Sequence, residues 1–172
     1  DAVMLSEETA IGRHPVEAVE MITKIATSAE RERKAVRALA DLPAYFRTGA
    51  GSGNTTVEDI VSLNAVESAN ALNVRYILTN TQSKGAPCLI SRFKPDCWIL
   101  SCGGDEKTNN FLALSYGVYP VCLDYETNGF TDMVMRFMGK AGMVEKDERV
   151  ILVEDESLND MQEASLMKII KA

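Results

Sequence analysis

The chain is predicted to be an α/β domain, a doubly wound, mostly parallel sheet of about five strands flanked by helices. Two observations predict it. From Arg75 onward, short apolar runs alternate with stretches whose apolar residues recur at helical spacing. The length, 172 residues at 46% hydrophobic, is that of one ordinary domain able to bury a core. Strands that alternate with helices over that length form a parallel sheet with right-handed crossovers.

The elements follow in order. Residues 1–6, DAVMLS, read as the end of a buried strand, yet the next strand signal comes only at Arg75. That start predicts a segment cut from something larger. Pro15 suits a first helical turn, and Val16, Val19, Ile22, Ile25, Ala26 and Ala29 make an amphipathic stripe behind it. Glu17, Glu20 and Lys24 form its solvated face. Residues 35–42 extend this helix or form a second short one, which Pro43 ends.

Residues 48–55, TGAGSGNT, carry Gly49, Gly51 and Gly53, but no strand precedes them and no Gly-Lys-Ser/Thr follows. They read as a connector. Thr55 and Glu58 have capping-box spacing, and Ile60, Val61, Asn64, Ala65, Ser68 and Leu72 are the expected buried face of the next helix.

From there the expected elements are a strand at 76–79, a helix at 86–93 and a strand at 97–102. A helix at 105–116 has Asp105 as cap and Gly117 as stop. The third strand, 118–123, contains Pro120, which argues for a sheet edge or a strand start. Met133, Val134, Phe137, Met138 and Ala141 mark a helix at 131–142. A fourth strand at 149–153 and a fifth at 166–170 complete the sheet.

Charge and cysteines narrow the function classes. The formal net charge is −7, with no Lys/Arg run of the kind that lines nucleic acid, so nucleic acid and anionic membrane are not expected partners. There is neither an apolar run of spanning length nor a basic-then-apolar leader, so a soluble, cytoplasmic protein is expected. Cys88, Cys97, Cys102 and Cys122 form no C-x-x-C pair and His14 is the single histidine; four reduced thiols and no metal site follow.

The stretch with most chemical content is RYILTNTQSKGAPCLISRFKP, residues 75–95. It reads as strand, polar loop, helix. In an open α/β sheet such a loop lies where ligands bind, and the N–H groups and dipole of the following helix favour an anion. Thr79, Thr81, Gln82, Ser83 and Lys84 are placed to face one. The competing reading is that these polar residues cap the helix and meet water.

Two groups of residues carry a family resemblance. DAVMLSEETAIGRHPVEAVEMI is similar to the pyruvate kinase segment in which Asp-x-x-Met-Leu-Ser-Gly-Glu-Thr-Ala leads through Gly-x-x-Pro into a Glu-Ala-Val helix, with Glu7 standing where that family has glycine. In the family this is the last strand and helix of the catalytic barrel. Arg92-Phe93-Lys94-Pro95, the strand at 98–101, Lys107-Thr108, and Leu114 with Gly117-Val118-Tyr119-Pro120-Val121 resemble its C-terminal domain in order and spacing. Thr131-Asp132-Met133 and Ala141-Gly142-Met143-Val144 with Asp147 continue the match.

The resemblance implies a barrel remnant at 1–34 and a C-terminal regulatory and oligomerisation domain at 35–172. It implies a parent enzyme that transfers the phosphoryl group of phosphoenolpyruvate to ADP with Mg2+ or Mn2+ and K+. Most of the barrel lies outside this sequence, so no catalytic residue, metal ligand or cofactor site is expected in it. The implied partners are the parent's own catalytic barrel, further copies in a homo-oligomer (a tetramer in the family), and a phosphorylated effector.

Alignment back from Pro95 puts Thr81, Gln82, Ser83, Lys84 and Gly85 on the family's effector loop, often Thr-x-Ser/Gly-Gly-Arg/Lys followed by Ser/Thr. Lys84 and Gly85 are transposed relative to that pattern, Ala86 replaces the hydroxyl residue, and Pro87 removes an N–H. A Gly-rich loop ending in Gly-x-Thr-Asn is expected on the other side of the effector; here residues 154–164, EDESLNDMQEA, are acidic and would repel a phosphate. Two readings therefore stand: an effector-binding regulatory domain, or an assembly domain that keeps the fold without the effector.

Overall fold

In a computed structural model of the chain, residues 1–37, 55–80, 85–103, 105–123, 129–159 and 162–172 are described, with side chains at 34–37, 155–159 and 162–165 left aside. The expected connector at 48–55, but for Thr55, and residues 38–42 of the helical extension lie outside them. The chain divides into two compact units, Val3–Thr55 and Thr56–Ala172 together with Asp1–Ala2.

In the first unit the expected strand at 1–6 is absent. Among the described residues of that unit no strand forms. The Ser6 carbonyl instead accepts the Thr9 and Ala10 N–H groups, and a short helix α1 (Glu7–Ala10) forms. Gly12 turns the chain out of α1; a Cβ there would overlap the Glu8 carbonyl oxygen, so the close return requires glycine. Helix α2 (Pro15–Arg37) begins at Pro15, as its missing N–H allows. Its apolar stripe is present but uncovered: Val16, Val19 and Ile25 are exposed, and so is Met21.

In the second unit helix α3 (Val57–Leu72) starts from a capping box one residue later than expected. Thr56 Oγ1 accepts the Asp59 N–H at 3.3 Å, and Asp59 Oδ2 accepts the Thr56 N–H at 3.1 Å. The duplicated Thr-Thr and Glu-Asp pairs offer both registers. Of the expected face, Ala65 is buried and Val61, Ser68 and Leu72 are half-buried, whereas Ile60 and Asn64 are exposed; Ser62, Leu63, Val66 and Ala69 join Ala65 inside. Small residues win the inner face because they let the helix lie close on the sheet. Asn73 ends α3 in the left-handed region at φ 51°, and the Val74 N–H returns to the Ala69 carbonyl.

The sheet is built from β1 (Tyr76–Asn80), β2 (Trp98–Cys102), β3 (Val118–Val121), β4 (Arg149–Asn159) and β5 (Gln162–Lys171). Its order is β3-β2-β1-β4-β5, with the first four strands parallel and β5 antiparallel to β4. The predicted five-stranded, mostly parallel sheet is thus observed, and Pro120 lies on an edge strand. Helices α4 (Gly85–Arg92), α5 (Glu106–Leu112) and α6 (Phe130–Lys140) follow β1, β2 and β3. Asp105 caps α5 by accepting the Thr108 N–H at 2.7 Å, and Gly117 at φ 69° leads into β3.

The pleat sorts the core into two faces. Leu78, Leu100, Cys102, Val150 and Leu152 pack with Phe130, Val134 and Met138 of α6. Ile77, Thr79, Ile99, Ser101, Ile151 and Val153 alternate with them and face the other way, and all are buried. Burial on both sides is why these strands read as near-continuous apolar runs.

Where the family resemblance implies a loop, β4 instead extends through Asn159 and β5 already begins at Gln162. Glu154 pairs with Leu166, and the ladder continues to Asn159 opposite Gln162. Antiparallel pairing with a local partner supplies the backbone hydrogen bonds that acidic residues do not favour by themselves. β1 pairs with β4 at Ile151, Leu152 and Val153, so the hairpin runs on as a two-stranded ribbon.

At the amino ends of β1 and β4, Arg75 donates from Nε and Nη2 to Glu148 Oε1 and Oε2, each at 2.6 Å. These hydrogen bonds pull the Glu148 carboxyl down to about 2. The stability they give is present above the carboxyl's ordinary value and is lost as pH falls through about 2. Glu148→Gln is therefore expected to lower the urea midpoint at pH 7 and to leave it unchanged near pH 2; equal loss at both values would refute the assignment.

Candidate functional site

The strand order fixes where a ligand site belongs. The chain moves outward from β1 to β2 to β3, then returns to place β4 on the opposite side of β1. In open α/β sheets the crevice that takes ligands lies at such a reversal, beyond the carboxyl ends of the strands, here β1 and β4. β1 ends at Asn80, and α4 starts at Gly85.

Of the five residues aligned with the family's effector loop, Gly85 is described, exposed and at the helix start. Thr81, Gln82, Ser83 and Lys84 lie outside the described residues. Ala86 and Pro87 are buried. The first helical turn, which lacks a hydroxyl at Ala86 and an N–H at Pro87, is thus packed against the domain.

The rest of α4 is firmly held. Arg92 Nη2 donates to Asp59 Oδ1 at 2.7 Å, joining its last turn to the first turn of α3. Burial alone would raise the Asp59 carboxyl, but the Thr56 N–H and the Arg92 guanidinium outweigh it and hold it below its ordinary value. Ser91 Oγ donates to the Tyr116 carbonyl at 2.8 Å. A rigid helix keeps its start fixed relative to β1.

Thr79 and Ser101 stand opposite one another on β1 and β2 near the carboxyl end, fully buried. Their hydroxyl oxygens have no hydrogen-bond partner among the described residues. Thr79 was expected to face the ligand; it points into the packed side of the sheet instead, because residue 79 shares the pleat of buried Ile77. Ser101 was not anticipated. Its one signal is a polar residue following the apolar run Trp98-Ile99-Leu100.

On the β4 side the acidic stretch contributes Glu154, which is buried and accepts Lys168 Nζ at 3.1 Å. Lys168 lies across the hairpin beside Leu152. The charge that was expected to repel a phosphate is therefore offset at this position. The signal for the pair was available: an acidic residue directly after Val150–Val153 and a lysine in the antiparallel partner.

All four cysteines are free thiols. Cys102 is buried, and the loss of solvent pushes its thiol up to about 12, so it is a packing residue and not a nucleophile. Among the described residues, no three His, Cys, Asp or Glu side chains come together to hold a metal, and no helix is long and apolar enough to cross a membrane.

A mostly parallel sheet wound on both faces, with its order reversed beside β1, defines an open α/β domain. The family model for the pyruvate kinase alpha/beta domain matches residues 59–170, and the chain belongs to that family. It is 39% identical to the pyruvate kinase of Thermococcus litoralis over 98% of its own length and 34% of that protein. It is 32% identical to the Clostridium acetobutylicum pyruvate kinase, again over 98% of this chain and 35% of the relative. The chain thus spans about a third of the relatives it matches. A solved structure of Cryptosporidium parvum pyruvate kinase in complex with ADP superposes with a TM-score of 0.71 at 25% identity, covering 98% of this chain and 33% of that one.

Proposed function

We propose that the chain is the C-terminal allosteric and oligomerisation domain of a pyruvate kinase, carried by residues 35–172, with a barrel remnant at 1–34. The parent enzyme would transfer the phosphoryl group of phosphoenolpyruvate to ADP in the cytoplasm, and this piece would not catalyse that step alone. The observation that supports the reading is the order β3-β2-β1-β4-β5, which reverses beside β1, the strand that precedes residues 81–84 in the chain. Backbone N–H groups at Gly85 and Ala86 and the Lys84 ammonium would supply an anion with donors and charge.

The exposed stripe Val16, Val19 and Ile25 supports the same reading, since it is the kind of surface that the remainder of a barrel would cover. Mg2+ or Mn2+ and K+ are assigned to the parent's catalytic part; the described residues here offer no ligand set for them. In a homo-oligomer, further copies and the barrel are the expected partners.

A second reading is an assembly domain that has lost its sugar-phosphate effector. The ribbon formed by β4 and β5 favours it, because residues 154–159 are committed to backbone pairing where a closing loop would need freedom. Calorimetric titration with fructose bisphosphate, glucose 6-phosphate, ribose 5-phosphate and AMP distinguishes the two. The first reading expects heat with at least one of them and its loss in Lys84→Ala. Absence of heat with all four would leave the assembly role.

A further inference from the structure

The sheet face that carries α6 is not covered out to its β3 edge. Trp98 begins β2 and points to the same side as Leu100 and Cys102, and Tyr119 of β3 stands opposite Leu100 in register. Both rings therefore lie on the α6 face, yet Trp98 is 55% and Tyr119 56% exposed. They meet edge to face, with centroids 6.5 Å apart and planes at 82°. Neither the indole N–H nor the phenol O–H has a hydrogen-bond partner among the described residues.

Helix α6 supplies the rest of this surface. Met135 looks toward β5, since it lines a groove with Ile170. At about 100° per residue, Met133, Phe137 and Lys140 stand on the opposite flank, toward β2 and β3, with Arg136 on the crest beside them. Met133 and Phe137 are half-buried against the core. Arg136 and Lys140 are exposed and have no ion pair among the described residues. The described acids nearby lie elsewhere or are engaged: Asp132 and Glu145 line the β5 side of α6, Glu148 is held by Arg75, and Asp96 is not free. Among the described residues, the β3 flank of α6 is apolar and positive.

Trp, Tyr, Phe, Met and Arg are the residue types that protein interfaces concentrate, and Trp, Tyr and Arg dominate their binding energy. All of them occur on this ledge. The edge strand then decides the form of the partner. The Ile99 N–H donates to the Gly117 carbonyl and the Gly103 N–H to the Val121 carbonyl, so Val118 and Pro120 turn their backbone groups outward. The Val118 N–H returns to the Ser115 carbonyl, and Pro120 has none. An added strand would find no donor at either position. A helix uses its own carbonyls and would leave the Trp98 and Tyr119 donors without acceptors. A polyproline II segment keeps its carbonyls free and lays its rings on aromatic side chains.

We propose that the ledge formed by Trp98, Tyr119 and the β3 flank of α6 binds an acidic, proline-containing segment of a partner protein in polyproline II form. Its prolines pack on the two rings, its carbonyls accept the indole N–H and the phenol O–H, and its carboxylates meet Arg136 and Lys140. The ledge lies toward the amino ends of β2 and β3, apart from the crevice at the carboxyl ends of β1 and β4.

Trp98 is the only tryptophan, so its fluorescence reports on the ledge directly. The test titrates the intact 172-residue chain with acetylated, amidated Pro-Pro-Glu-Pro-Pro-Glu, Pro-Pro-Lys-Pro-Pro-Lys and Gly-Gly-Glu-Gly-Gly-Glu. The first is expected to bind about tenfold more tightly than either of the others, the second lacking the charge and the third the rings. In a chain carrying both Arg136→Glu and Lys140→Glu the preference between the two proline peptides is expected to invert. Tyr119→Thr keeps a strand-forming residue and is expected to weaken the acidic proline peptide about tenfold, with little change in melting temperature because the ring is more than half exposed. Equal affinity for the three peptides, no fluorescence change at about 5 mM, or undiminished binding to Tyr119→Thr would each overturn the proposal. So would a Trp98 signal that shifts on dilution of the chain alone, which would assign the ledge to a second copy.

Discussion

Leu78→Ala is expected to destabilise the sheet domain by about 3 kcal/mol, while Thr79→Val, one residue along the same strand, is expected to stabilise it by up to about 1 kcal/mol. Leu78 is fully buried on the central strand, between Leu100 and Leu152 and under α6. Truncation removes its transfer energy and leaves a cavity that paired strands on both sides cannot close. Thr79 is equally buried, but its hydroxyl has no partner among the described residues, and valine has nearly the same shape without the desolvation cost. Urea unfolding midpoints measure both. A destabilised Thr79→Val would mean that the hydroxyl is satisfied by a bound group.

Phe130→Ala is expected to cost about 4 kcal/mol, because a buried aromatic leaves the largest void. Phe130 is the first residue of α6 and packs with Val134 and Met138 on the same face as Leu78 and Leu152. Losing it frees the start of the only helix in the described core cluster. Near-ultraviolet circular dichroism is expected to lose intensity before the far-ultraviolet signal does. A loss below about 1 kcal/mol would show that the helix is held elsewhere.

How far the residues themselves disclosed this structure depends on what each pattern constrained. Runs such as Tyr76-Ile77-Leu78 and Val150-Ile151-Leu152-Val153 are buried on both faces in a parallel sheet, and this leaves little choice. Pro120 marked an edge because it cannot complete a ladder. The buried face of α3 was misjudged, since Ile60 is more hydrophobic than Ser62 or Ala69, yet closeness to the sheet decided the outcome. The antiparallel pairing of residues 154–159 with 162–166 was hidden by acidic composition; its ladder comes from the backbone and no side-chain pattern announces it. Around the candidate site the strand at 76–80 and the helix at 85–92 were legible from their apolar spacing. The orphaned hydroxyls of Thr79 and Ser101 and the pairing of Glu154 with Lys168 were not, because each depends on a neighbour distant in sequence.

The clasp between Arg75 and Glu148 joins residues 73 apart along the chain. It spans the pairing of β1 with β4, the junction on which the crevice depends. A chain leaving the ribosome therefore holds β1, β2 and β3 for seconds before β4 exists, with one edge of its central strand bare. The β4–β5 hairpin can form by itself once made, but it has to find that edge, and until it docks the exposed β1 edge is a template for other chains. Slowing synthesis between residues 123 and 149 would lengthen this interval, and a holdase that covers apolar strands would be most useful within it.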